Sequence, residues 1–209
     1  MKPKIKVCGL RDQKNIQEVL ALKPDLVGFI FYKGSPRYVG REFPVHFIKD
    51  LPNFIGKVGV FVNESVEQIL NISEKYGLDY VQLHGEESAQ DCEGLKKRGI
   101  KVIKAIPVSD LKDLNVAERF DNKVDYILFD TRGKYRGGNG IPFNWDILKS
   151  YPFTTPYFIS GGLGIAELKK LSNCEFPGYA GVDLNSLFEI SPSIKDIFML
   201  KEGFGYIKR

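Results

Sequence analysis

The chain has 209 residues, 43% of them hydrophobic and 12% aromatic, which is enough for one sizeable core and excludes a disordered segment. Its formal charge of +4 is mild and dispersed, so it suits a small anionic ligand and speaks against a nucleic-acid surface. No run of 18 apolar residues exists, so no membrane span is expected.

Three cysteines, at 8, 92 and 174, form no CxxC pair and leave one over, which fits a reducing compartment; a cytoplasmic location is expected, with no signal region ahead of the first strand. His46 and His84 have no partner at ligand spacing, so no metal site is expected.

Lys4 to Leu10 opens the chain as a short strand alternating Lys and apolar residues, with Gly9 as the turn that ends it and Cys8 at its carboxyl end. Ile16, Val19 and Leu20 then form one apolar helical face. Leu26 to Phe31 is a continuous apolar run, as in a parallel strand buried on both sides, and it ends in the turn-rich loop Tyr32 to Tyr38. A third strand is expected over Lys57 to Val62. Ser65 to Gln68 matches a capping box that turns Val66, Ile69 and Leu70 inward.

Strand four is Tyr80 to His84, with a helix cap at Ser88. Strand five is Lys101 to Ile106, ended by Pro107, and strand six is Tyr126 to Phe129, closing on Asp130. The glycine-rich stretch Arg132 to Gly140 reads as a mobile lid, followed by a short helix over Phe143 to Leu148. Strand seven is Tyr157 to Ser160 before Gly161-Gly162, and strand eight is Gly181 to Leu184. Ser191-Pro192 then reads as the opening of the last helix.

Eight strands alternating with helical segments, without a linker, imply an open doubly wound sheet or a closed barrel. Gly162 to Glu167 has the look of a dinucleotide fingerprint, but Glu167 stands where a third Gly or Ala belongs, and the segment comes late in the chain. The expected fold class is therefore α/β, a single (β/α)8 TIM barrel domain over residues 1–209.

In such a barrel the carboxyl ends of the strands carry the chemistry. They present Cys8, the Ser35 to Arg37 loop, Asn63, His84, Asp130, Gly161-Gly162 and Asp183-Asn185-Ser186. On composition alone, Cys8 reads first as a small buried core residue and Asp130 as a cap or turn former. As a pair they read as a proton acceptor and a proton donor on either side of one ligand. Lys6 shares the parity of Cys8 and is expected to face the same way, where its charge would favour the thiolate; Lys104 lies likewise in mid-strand, and structural ion pairing explains either lysine as well. The glycines after strand seven and the Asp183 to Ser186 segment suit a phosphate cradle. Arg37 offers a planar fork for a carboxylate.

Taken in order, several segments touch every strand: Lys6-Val7-Cys8-Gly9-Leu10, Gly28 to Phe31 with Ser35-Pro36-Arg37-Tyr38, Val58 to Asn63, Val81 to Glu86, Ile103-Lys104-Ala105, Phe129-Asp130-Thr131, Gly137 to Gly140 with Phe143 and Trp145, Ser160 to Leu163, and Gly181-Val182-Asp183. The ordered set resembles the phosphoribosylanthranilate isomerase family of tryptophan biosynthesis. That resemblance implies a cofactor-free Amadori rearrangement of a phosphorylated small-molecule substrate by a monomer or homodimer.

It further implies that Asp130 is the general acid, Cys8 the general base, and Arg37 the holder of the substrate carboxylate. Gly161, Gly162, Asp183, Asn185 and Ser186 would seat the phosphate. His84 ends its strand at the same rim, as a candidate substrate contact or a strand-end packing residue. Two departures stand out. The family usually follows its eighth strand with Asp-Val-Ser-Ser-Gly-Val-Glu, whereas this chain reads Asp183-Leu184-Asn185-Ser186-Leu187-Phe188-Glu189. Ile141-Pro142 also stands where Lys-Thr often precedes the Phe of the lid. The rivals are another phosphosugar isomerase or epimerase on the same scaffold, or an inactive barrel that only binds a phosphorylated ligand. Cys8 on strand one and the single strand-end histidine speak against the first, and the pairing of Cys8 with Asp130 against the second.

Overall fold

The computed structural model describes residues 2–131 and 142–207. Eight parallel strands close into a ring: β1 (Lys4–Val7), β2 (Leu26–Ile30), β3 (Gly56–Phe61), β4 (Tyr80–Leu83), β5 (Lys101–Val108), β6 (Tyr126–Thr131), β7 (Tyr157–Ser160) and β8 (Tyr179–Leu184). β1 pairs with both β2 and β8, and the second pairing closes the barrel and rules out the open sheet.

Alternation sorts each strand into two layers. Inside lie Leu26, Val58, Tyr80, Ile103, Ala105, Leu128 and Phe158, packed as one cluster. Outside, residues such as Val27, Phe29, Val81, Ile106, Phe129 and Ile159 pack under the helices. The same alternation turns Lys104 outward, where its ammonium meets Glu87 at 3.0 Å and the carbonyls of Leu83 and Gly85. Lys104 is thus a structural ion pair in the helix layer and not a cation near Cys8.

The helices are α1 (Gln13–Ala21), α2 (Val45–Lys49), α3 (Val66–Tyr76), α4 (Ala89–Lys96), α5 (Leu111–Leu114), α6 (Ile165–Leu171) and α7 (Ile197–Ile207). Asp12 caps α1 by accepting from the Asn15 N–H at 2.8 Å, and Ile16 and Val19 are buried beneath it. Ser65 caps α3 by accepting from the Gln68 N–H, with Ile69 fully buried while Val66 and Leu70 are half-buried. Reciprocal capping boxes open α4, between Ser88 and Asp91, and α5, between Asp110 and Asp113.

Three expectations need correction. Pro107 does not end β5, which runs to Val108 paired with Thr131. β4 stops at the level of Lys104, so Pro107 has a strand neighbour on one side only and its missing N–H breaks no second ladder. The segment after Asn144 is a 3-10 helix, Trp145–Ser150, and starts two residues later than expected.

Ser191-Pro192 does not open the last helix. It forms the turn between two short strands, β9 (Glu189–Ser191) and β10 (Ile194–Lys195), with Ser193 at φ 71° after the proline as in a type II turn. The helix begins beyond it, where Asp196 accepts from the Met199 N–H through its side chain and from the Leu200 N–H through its carbonyl. The lid expected over Arg132 to Gly140 lies outside the described residues.

Candidate active site

At the carboxyl ends of the strands the barrel opens into a cavity of about 490 Å³. Cys8 is the first residue past β1. Its N–H still donates to the Leu184 carbonyl of β8 at 2.9 Å, and its side chain is buried. Asp130 has the same inward parity as Leu128 on β6 and is also buried. Both side chains line the cavity, as do Arg37 and His84. Gly161, Gly162, Asp183, Asn185 and Ser186 line it too. Every residue expected at the site is thus brought to one cavity except Asn63, which is engaged elsewhere: its amide oxygen accepts from the Glu86 N–H, and its own N–H donates to Glu87.

Asp130 is braced from two directions. One carboxylate oxygen, Oδ2, lies 3.3 Å from His84 Nε2, while His84 Nδ1 lies 3.0 Å from the amide nitrogen of buried Gln82. An amide N–H can only donate, so this network puts the histidine proton on Nε2, pointing at Asp130. On the other side Gly161 sits at φ 82°, and a Cβ there would come within 2.6 Å of Asp130 Oδ1 and 2.5 Å of the Thr131 nitrogen. Glycine is the residue that lets the β7 turn close on the carboxylate. Gln82, buried and two residues before His84 with the same parity, is the site residue that a parity argument on β4 could have found.

Beneath Cys8, the buried Lys6 ammonium lies 2.8 Å from Asp183 Oδ2. Burial alone would depress Lys6, but Asp183 and Cys8 outweigh it and hold the ammonium above its ordinary value. Burial dominates at Cys8 and pushes the thiol up, against the pull of Lys6 and Lys195. The expectation that Lys6 lowers Cys8 therefore holds for the direction of its own field and fails for the net result. Asp183 neutralises the lysine, and a desolvated thiolate is costly. Asp183 itself is the counter-ion of Lys6, and its Oδ1 has no hydrogen-bond partner among the described residues.

Arg37 presents only part of its fork to the cavity. Nε and Nη2 donate to Glu189, the latter at 2.6 Å, while Nη1 has no hydrogen bond to any described residue. Glu189 follows β8 and is 152 positions from Arg37, so no sequence spacing signals the pair. Leu187, standing where the family usually has glycine, lines the cavity beside Ser186 and adds an apolar wall there.

A thiol and a carboxyl that share a solvent-poor cavity with a guanidinium and two consecutive left-handed glycines, Gly161 and Gly162, define a barrel enzyme of the acid–base class with an anionic substrate. A family model described as N-(5'-phosphoribosyl)anthranilate (PRA) isomerase matches residues 5–204. The chain is 45% identical over 198 residues to the N-(5'-phosphoribosyl)anthranilate isomerase of Parabacteroides distasonis, covering 94% of this chain and 90% of that one. Its fold is similar to the crystal structure of phosphoribosyl anthranilate isomerase from Thermotoga maritima, with a TM-score of 0.89, 32% identity and coverage of 99% and 98%. A phosphoribosyl anthranilate isomerase solved in complex with reduced 1-(o-carboxyphenylamino)-1-deoxyribulose 5-phosphate superposes with a TM-score of 0.86, at 32% identity and coverage of 99% and 98%. This chain belongs to the phosphoribosylanthranilate isomerase family.

Proposed function

We propose that Cys8 and Asp130 catalyse the Amadori rearrangement of N-(5'-phosphoribosyl)anthranilate to 1-(2-carboxyphenylamino)-1-deoxyribulose 5-phosphate. Family membership makes the chain an isomerase of tryptophan biosynthesis acting on that aminoaldose. The observation that carries the assignment of roles is the shared cavity of Cys8 and Asp130 at the carboxyl rim. In the first step protonated Asp130 delivers its proton to the furanose ring oxygen. The C1′–O bond breaks and the nitrogen lone pair forms an iminium. In the second step the Cys8 thiolate takes the proton from C2′, and the electron pair of that C–H bond neutralises the iminium to give an enol amine. The enol loses its hydroxyl proton and gains one at C1′ as it becomes the ketone, so no oxidant or further reactant is needed.

Burial of Cys8 favours the thiol at rest, so forming its thiolate is an uphill part of the base step. Arg37, whose Nη1 has no hydrogen-bond partner among the described residues, is assigned to the anthranilate carboxylate. The turn at Gly161-Gly162 and the backbone of Asn185 and Ser186 are assigned to the phosphate. Asp183 is assigned a supporting part there through Lys6, since a carboxylate against a phosphate would repel. His84 is assigned to hold Asp130 at the edge of the substrate. The three free cysteines support a reducing, cytoplasmic setting. The decisive experiment follows the fluorescence of phosphoribosylanthranilate as it is consumed; a wild-type chain that leaves it unchanged refutes the reading.

A further inference from the structure

The cationic wall of the cavity rests on one buried carboxylate. Glu189 opens the hairpin that follows β8, and its side chain is almost wholly enclosed. Its oxygens accept from Arg37 Nε at 2.9 and 3.0 Å and from Arg37 Nη2 at 2.6 Å. Oε1 also accepts from Lys195 Nζ at 2.8 Å and from the Ser193 N–H at 3.1 Å. Lys195, whose side chain has no exposure, continues to Asn185 Oδ1 at 2.7 Å and to the Asn185 carbonyl at 3.3 Å. Its backbone is tied to the Asn15 side chain of α1 by two further hydrogen bonds.

The two ends of this chain of contacts converge on Gly9, at φ 77°. A Cβ there would lie 2.7 Å from both Arg37 Cδ and Asn185 Oδ1. The loops after β1, β2 and β8 are thereby joined through a single ionic node. Two cations against one carboxylate leave the node with a net charge of +1, so Glu189 anchors Arg37 without reversing the sign seen by an anionic ligand. It occupies one edge of the guanidinium and leaves Nη1 for the cavity. An arginine on a loop would otherwise lose much rotamer freedom on binding.

We propose that Glu189 and Lys195 are positioning residues that hold the Arg37 fork and the Asn185–Ser186 turn at a fixed separation, so that the carboxylate end and the phosphate end of one substrate dock on a single preformed frame. This inference rests on the functional reading above. Burial pushes the Glu189 carboxyl up, but its hydrogen bonds from Arg37 and the charge of Lys195 hold it below its ordinary value, so this carboxylate is ionised at neutral pH.

The test is a kinetic double-mutant cycle. Glu189→Gln should raise KM about tenfold or more while kcat changes little, because charged hydrogen bonds that preorganise binding are lost and no group of the chemistry is touched. In an Arg37→Ala background the same substitution should change KM by less than about twofold, because its effect passes through Arg37. An unchanged KM in Glu189→Gln, or losses that simply add in the double variant, overturns the proposal. Should Glu189→Gln fail to fold, Lys195→Met carries the second arm, since it keeps the Arg37–Glu189 pair and releases Asn185. Binding of inorganic phosphate, followed by calorimetry, should weaken about fivefold or more in that variant, and equal binding overturns the proposal. The calorimetric arm needs no turnover, so an inactive wild type counts against the functional reading and leaves the frame to be judged by phosphate alone.

Discussion

Cys8 and Asp130 owe the roles proposed for them to where their strands end. Each is buried, each borders the same cavity, and each has a defined brace: Lys6 beneath the sulfur, His84 and Gly161 around the carboxylate. Cys8→Ala and Asp130→Asn should each lower kcat by about 10²–10⁴-fold, the usual share of a positioned acid or base, with an unchanged circular-dichroism spectrum; near-wild-type turnover in either removes the assigned role. The Cys8 thiol should set an alkaline limb in kcat/KM, where its ionisation changes the charge of the site. Burial places that alkaline limb above the ordinary thiol value of about 8.5. Lys6 pulls the thiol down, so Lys6→Met should move the limb to still higher pH. A limb that stays put, or moves down, contradicts the account of the sulfur's surroundings. Parity along β1 made Lys6 legible, but its neutralisation by Asp183 was not, because that contact links residues 177 positions apart.

Turns and caps set where each element delivers its side chain. Gly161→Ala would push a methyl group against the Thr131 nitrogen and Asp130 Oδ1 at a left-handed backbone position. It should cost stability and cut kcat together, and urea unfolding with parallel kinetics checks both. Ser88→Ala removes half of the capping box of α4 and should cost about 1 kcal/mol with no change in KM, read from the same urea titration. Elements with strong local signals, such as the apolar run Leu26–Ile30 or the Ser65 and Ser88 caps, could be read directly from the chain. The Ser191-Pro192 segment misled because Pro serves a helix start and a turn equally well. Its hairpin is held from outside by Asn15 on Lys195 and Arg37 on Glu189, and within itself by the Lys195–Glu189 pair.

At the scale of the whole molecule, closure of β1 against β8 turns eight separate strand ends into one rim. Phe158, fully buried inside the ring, should cost about 3–5 kcal/mol when cut to alanine, since the interior has no room to collapse around the void; a loss below about 1 kcal/mol in urea unfolding would mean the interior is poorly packed.

By itself the sequence determined the strand–helix alternation, the parity of Lys6 with Cys8, and the residues poised at the carboxyl ends, because these depend on period and local turn chemistry. Only the tertiary structure decided that Glu189 and Lys195 grip Arg37, that Gln82 orients His84, that Lys104 faces outward, and that burial outweighs Lys6 at the sulfur. Contacts between segments far apart in the chain, and the loss of solvent they bring, leave no periodic trace in the residues that make them.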